Sequence, residues 1–224
     1  MSKLTKRLQT IADIVSGNVV CDVGCDHGLL SEYLLANQII DYVYISDISK
    51  SSLNKAEKLL STKYPNQYKS ICTDGLKGYK GIDNIDECII SGMGGVEIIN
   101  IIKNSPIDIN SYILSPQHNI IEVKKYVLSI GYNIIYDIIV KDKNKFYTIL
   151  KCVKMDKIDQ FSDQQLLIGK DNYNNPISDV KEYIDHEINK YQILLDRVNN
   201  SKKNELMERC EYLRKAKKEI INYE

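Results

Sequence analysis

Five short apolar runs recur along the first half of the chain: VVCDV at 19–23, YVYIS at 42–46, KSIC at 69–72, DECIIS at 86–91 and SYIL at 111–114. The stretches between them carry helical spacing. Leu4, Leu8, Ile11 and Val15 share one face of a helix expected over 3–16, and Leu53, Ala56, Leu59 and Leu60 share one over 50–63. Strands that alternate with helices bury their apolar surface as a parallel sheet covered on both faces. After Gly131 the rhythm changes. NIIYDIIV and KFYTILKCV follow with only the polar stretch 141–145 between them, which predicts an antiparallel hairpin at the sheet edge.

From 156 to 176 the chain is polar and contains Gly169 and Pro176, the mark of a linker with a short helix. Ile184, Ile188, Tyr191, Leu195 and Val198 then recur in steps of four and three. Beyond Asn199-Asn200-Ser201, Leu206, Cys210, Leu213, Lys217 and Ile220 do the same, giving an antiparallel helical hairpin of coiled-coil type. The expected architecture is α/β. A Rossmann-like sheet with its edge hairpin occupies 1–155, and the linker and helical hairpin occupy 156–224.

Composition narrows the setting. With 27% charged and 43% hydrophobic residues the chain reads as globular, and no apolar run approaches the roughly 18 residues of a membrane span. MSKLTKRLQT lacks an apolar signal core, so a cytoplasmic protein with no membrane partner is expected. Cysteines 21, 25, 72, 88, 152 and 210 form no CxxC pair and sit mostly in apolar segments, so buried thiols are expected rather than disulfides or a metal site. A net charge of zero advertises no polyanion partner; RNA binding would need local basic patches.

Chemistry is expected where strands end. The carboxyl ends of the first four runs carry Asp22-Val-Gly-Cys-Asp-His-Gly28, Asp47, Asp74-Gly75 and Ser91-Gly-Met-Gly-Gly95. Ligands of doubly wound sheets bind there, and an acid ending the second strand is placed to accept ribose hydroxyls. The GxGxxG fingerprint is absent, and Asp22 and Asp26 would repel a pyrophosphate. Acids suit a ligand with a positive centre and an ammonium group, as S-adenosylmethionine has; the alternative keeps these residues as turn and cap formers.

The stretches KRLQTIADIV at 6–15, DVGCDHGLLSEYLL at 22–35, TDGL at 73–76, DECIISGMGG at 86–95 and KFYTIL at 145–150 resemble the bacterial tRNA (adenine-22-N1)-methyltransferases. The likeness extends to the terminal helical hairpin. It implies a class I methyltransferase that moves a methyl group from S-adenosylmethionine to N1 of adenine 22 in the tRNA D-arm. Carried over by position, it implies cofactor contacts from Asp22, Gly24, Cys25, His27 and Gly28, from Asp47 and Ile48, from Asp74 and Gly75, and from Ser91, Gly92, Met93 and Gly94. Asp26 matches the family's catalytic carboxylate. Arg7 sits in a matching motif. A flipped base would need an aromatic or amide surface, for which Tyr79, Tyr147, Gln117 and His118 are candidates, a structural role being the alternative for each; Arg7, Gln117, His118 and Tyr147 are the expected substrate contacts. Two departures stand out: Asp47 replaces a frequent Glu, and Ser115-Pro116-Gln117 replaces Gln-Pro-Asn.

Asp26 has two readings, as a charge stabiliser or base beside the target adenine and as the cap of a helix starting at His27-Gly28. RNA capture would draw on Lys3, Lys6 and Arg7, on Lys141, Lys143 and Lys145, and on Lys202, Lys203, Arg214, Lys215, Lys217 and Lys218. Rival readings are a small-molecule or protein methyltransferase and a non-catalytic interaction protein. Nicotinamide chemistry is disfavoured by the missing fingerprint. N6-adenine methylation is disfavoured because the [DN]-P-P-[YF] motif is missing. Monomer and weak homodimer remain open.

Overall fold

The computed structural model describes residues 3–174, 178–198 and 200–221. Seven strands form one sheet: β1 (Val19–Val23), β2 (Tyr42–Asp47), β3 (Tyr68–Cys72), β4 (Glu87–Ser91), β5 (Ser111–Ser115), β6 (Tyr132–Asp142) and β7 (Lys145–Lys154). Their order is β3-β2-β1-β4-β5-β7-β6, parallel through β5, with β7 antiparallel to both β5 and β6. The chain winds outward from β1 to β3, returns, and winds the other way from β4, so the crevice between β1 and β4 opens at their carboxyl ends.

The strands read as unbroken apolar runs because both faces are covered. One face packs Cys21, Val23, Cys88, Ile90 and Leu114 against α4 (Gly95–Lys103) and α5 (Ile120–Ser129) through Ile98, Ile102, Val123 and Val127. The other packs Val20, Val43, Ile45, Ile89 and Ile113 against α1 (Lys6–Asp13), α2 (Leu29–Ala36) and α3 (Lys50–Ser61) through Ile11, Leu34, Leu53 and Leu60. Helix α1 is shorter than the apolar spacing suggests. Thr5 stops it at the front by accepting a hydrogen bond from the Leu8 amide, and Leu4 lies outside it while still buried.

Residues 163–174 form two short helices, α6 (Asp163–Ile168) and α7 (Lys170–Asn174), rather than one. Ser162 and Gln165 make a reciprocal capping box at the start of α6, and Leu166, Leu167 and Ile168 are buried. Pro176 lies outside the described residues. Helices α8 (Ser178–Leu195) and α9 (Asn200–Ile221) pair as expected, and Asn199 between them also lies outside the described residues. Val180, Tyr183, Ile184 and Tyr191 of α8 and Cys210, Leu213, Ala216 and Ile220 of α9 share a core with Leu167, Ile168 and Ile139 of β6. The hairpin is thereby seated on the sheet edge.

Two lysine–carboxylate pairs are buried. Lys124 and Asp137 meet at 2.8 Å with each side chain 1% exposed. Lys151 meets Glu87 at 2.8 Å and also donates to Ile14 O and Ser16 Oγ.

Candidate active site

At the end of β1 the backbone turns at Gly24, whose φ of 75° is left-handed. The amides of Gly24 and Cys25 both donate to Ser46 O, at 2.8 and 3.0 Å, which ties the loop to β2. Gly28 repeats the conformation at φ 70° and caps α2, whose first residue is Leu29. The loop is packed tightly there: a Cβ on Gly28 would stand 2.8 Å from the Cβ of Ala56 on α3.

Asp22 and Asp26 occupy opposite environments. Asp22 is buried and accepts a hydrogen bond from Ser31 Oγ at 2.7 Å. Burial pushes its pKa up to about 6; the Ser31 bond moderates the rise and the Asp47 carboxylate adds to it. Asp26 is itself left-handed at φ 49°, and its amide donates to Asp47 Oδ2 at 3.2 Å. Its side chain is 73% exposed at the cleft lip, 3.5 Å from His27 Nε2. The capping reading of Asp26 is corrected: Gly28 is the cap residue, no side chain caps α2, and the Asp26 carboxylate faces solvent. Cys25 is buried, and both burial and the neighbouring carboxylates raise its thiol, so it is a packing group.

The second wall comes from β4. Gly92 turns at φ 82°, and Met93 lies over Gly24, filling the space a Cβ there would take. The segment after β5 braces this turn. Gln117 Nε2 donates to Gly92 O at 2.7 Å, Gln117 N to Met93 O at 2.9 Å, and Gly95 N to His118 O at 3.0 Å. Gly94 admits the His118 ring, whose Nε2 would be 2.7 Å from a Cβ. The Gln in place of Asn at 117 therefore spends its amide on the backbone of the turn.

Two clefts lie along the turn after β4, one at Gly92 and one at Gly94. One, of about 340 Å³, is lined by Arg7, Asp22, Gly24, Cys25, Asp26, His27, Ser91, Gly92 and Gln117. The other, of about 620 Å³, is lined by Asp74, Leu76, Lys77, Gly94, Val96, Ile101 and His118. Asp74 pairs with Lys77 at 2.5 Å, Gly75 packs on Ile101, and Ile48 is 73% exposed beyond the end of β2. Arg7 stands with its guanidinium 5.0 Å over the ring of Tyr147, joining α1 to β7, while its amide donates to Asp142. Of the sequence-derived site residues, Gly28, Asp47, Ile48, Gly75 and Met93 line neither cleft, Tyr147 lines a separate groove with Gln117 and His118, and Tyr79 lies apart from all of them. That residue is corrected: it sits in the 3-10 turn Lys77–Tyr79, fully buried in the core, where it is unavailable to a flipped base.

The basic residues divide. Lys6 is held by Asp179 at 2.9 Å, Lys141 by Glu182 at 2.5 Å and Lys217 by Asp185 at 2.5 Å, so helix α8 consumes three of the cations expected to meet RNA. Lys143, Lys145, Lys203, Arg214, Lys215 and Lys218 are exposed, and the side chain of Lys202 lies outside the described residues. Lys55, whose Nζ is 3.1 Å from His27 Nε2, and Asp142 gave no sequence signal because both contacts are long-range. Among the described residues no group of three or more His, Cys, Asp or Glu could hold a metal ion, and no helix is long and apolar enough to cross a membrane.

Comparison with known proteins agrees with this geometry. A family model described as a methyltransferase domain matches residues 4–150. The Mycoplasma genitalium protein MG248, which carries the provisional name of a tRNA methyltransferase, is 32% identical over 171 residues, 74% of this chain and 77% of that one. The tRNA (adenine(22)-N(1))-methyltransferase of Bacillus subtilis is 28% identical over 153 residues, 66% of this chain and 64% of that one. The structure of M. capricolum TrmK in complex with S-adenosyl-homocysteine is 27% identical and superposes with a TM-score of 0.87, covering 98% of this chain and all of that one. The chain belongs to the methyltransferase-domain family, in the group that holds these tRNA methyltransferases.

Proposed function

We propose that this chain transfers the methyl group of S-adenosylmethionine to N1 of adenine 22 in the tRNA D-arm. The observation that carries the reading is the smaller cleft at the carboxyl ends of β1 and β4, which brings together a buried acid, Asp22, an exposed acid, Asp26, and a guanidinium, Arg7. The names of the relatives supply the substrate: tRNA for the Mycoplasma protein, and N1 of adenine 22 for the Bacillus enzyme.

The residues present fit the cofactor. Gly24 and Gly92 both line the smaller cleft without a side chain to block it, and Asp22 offers a buried carboxylate there to an ammonium group. Asp47 and Ile48 flank the ribose side, Asp74, Gly75 and Gly94 the adenine side, and Ser91 to Met93 the centre of the crevice. Cys25, His27 and Gly28 complete the cradle. Bound there, S-adenosylmethionine supplies an electrophilic methyl carbon on a sulfonium sulfur.

The chain's own work is alignment and charge. Well-oriented reactants gain roughly 7–11 kcal/mol from positioning alone. Adenine N1 would use its lone pair to take the methyl group as the methyl–sulfur bond breaks and leaves its electron pair on sulfur, so the positive charge passes to the ring. Asp26 meets that charge at the cleft lip. Arg7 and Tyr147 form the wall opposite, and Gln117 and His118 brace the turn between the two clefts. Arg7, Lys143, Lys145 and the exposed cations of α9 draw the RNA, so binding weakens as salt rises. We place the enzyme in the cytoplasm. We assign the chemistry to 1–155 and the framing of the RNA to 156–224.

The test is transfer of labelled methyl to unmodified tRNA transcripts. Wild type labels the normal transcript and not one with guanine at position 22. Equal labelling of both transcripts would remove the assigned target. Cofactor binding without any RNA labelling would hand the crevice to a small-molecule or protein substrate.

A further inference from the structure

We infer that the groove between the β6–β7 hairpin and α8 is a second nucleotide subsite, taking an RNA base that flanks the target adenine; this rests on the function proposed above. The groove measures about 510 Å³ and shares Gln117 with the smaller cleft and His118 with the larger, so it continues the reaction crevice away from the sheet. Tyr147, which carries Arg7 on its ring, also lines it. A strand whose target base enters the crevice carries its covalently joined neighbours to the edge of that crevice, where contacts to flanking nucleotides help set substrate choice.

The lining suits a base. Phe146 on β7 and His186 on α8 form an aromatic wall with ring centroids 5.6 Å apart, and Tyr183 backs Phe146 edge-on at 5.6 Å. His186 is exposed and Phe146 half-buried. Two cations that line the groove are already paired: Lys190 with Glu187 at 2.9 Å, and Arg209 with Glu205 at 2.7 Å and Glu122 at 3.3 Å. Lys145, which also lines the groove, is exposed and has no ion pair among the described residues. Aromatic walls, mostly compensated charges and one unpaired, exposed lysine suit a base against the rings and a phosphate on the lysine. A wholly anionic ligand would find little uncompensated charge within.

The experiment measures kcat/KM for tRNA transcripts with a single abasic nucleotide on either side of position 22, using wild type, His186→Ala, His186→Phe and Phe146→Leu. Base–aromatic stacking predicts about a tenfold fall for His186→Ala on intact tRNA, with cofactor affinity by calorimetry unchanged and His186→Phe restoring the rate. One of the two abasic transcripts should lose about tenfold with wild type and lose little more with His186→Ala. Phe146→Leu should behave like His186→Ala. An unchanged kcat/KM in His186→Ala, failure of His186→Phe to restore it, or fully additive losses on both abasic transcripts would overturn the subsite. No methyl transfer by wild type to any transcript would overturn the function on which it rests, a result distinguishable from the others because it precedes any comparison of variants.

Discussion

Asp22 and Asp26 lie four positions apart, one buried and the other exposed. Asp22 is buried, and burial raises its pKa to about 6. The folded chain therefore binds that proton more tightly than the unfolded chain does. The stability so gained is fully present below about pH 4 and is lost as pH rises through about 6, on the order of 2–3 kcal/mol in all. Asp22→Asn should accordingly melt higher than wild type at pH 7.5 and no higher at pH 4, while binding S-adenosylmethionine more weakly; thermal melts at the two pH values decide it. Asp26 is exposed, so its replacement should spare stability and cost rate. Asp26→Asn keeps a side chain that tolerates the left-handed backbone, and should lower kcat by about 10²–10³-fold with the melting temperature unchanged. A kcat within twofold of wild type would remove Asp26 from the chemistry. At this scale residue type was informative where geometry demanded it: Gly24, Gly28, Gly75 and Gly92 all have positive φ. It was silent where packing decides. Nothing in the letters separates Tyr79, sealed in the core, from Tyr147, half-exposed beneath Arg7.

Elements were legible to the extent that one local signal determined them. The parallel strands declared themselves because burial on two faces needs uninterrupted apolar runs, and the β6–β7 pair because two such runs stand almost adjacent. The α6–α7 segment was harder to read because polar contacts hold much of it: Asp171 accepts from Asp137 N, and Asn172 accepts from Ile139 N while donating to Ile168 O. Periodicity has no term for such bonds. The contact between the glycine loop and α3 is equally hidden, and it yields a prediction. Gly28→Ala puts a methyl 2.8 Å from Ala56 Cβ and 3.1 Å from its Cα, in a backbone conformation that alanine disfavours. Strain and overpacking together should cost about 2–4 kcal/mol. Ala56→Gly removes the facing methyl at about 1 kcal/mol of helix propensity. The double variant should therefore be more stable than the sum of the singles predicts. Additive losses in urea unfolding would show that backbone strain alone sets the cost.

On the scale of the whole molecule, the proposed boundary at 155 separates roles more cleanly than it separates structure. Lys124 on α5 meets Asp137 on β6, and donates as well to Leu166 O on α6. Asp137 also accepts from Lys170 N on α7 at 3.2 Å, so four elements, two from each side of the boundary, close on one buried ion pair. Ile139 of β6 is likewise covered by residues of α6, α8 and α9. Removing residues 156–224 would strand the pair without two of its hydrogen-bonding partners and bare an apolar sheet edge. A fragment of residues 1–155 should therefore fail to unfold cooperatively, and the full chain should unfold in a single transition. Within the full chain, Lys124→Met leaves Asp137 without its countercharge in a dry site, a loss of about 3–5 kcal/mol. Pairing it with Asp137→Leu removes the stranded carboxylate, and should recover most of that loss because the desolvation of both ions disappears with them. Urea unfolding of the four proteins reads all of this at once. A fragment that melts as sharply and as high as the full chain would make residue 155 a folding boundary as well, and would reduce the buried pair to a local feature of the sheet edge.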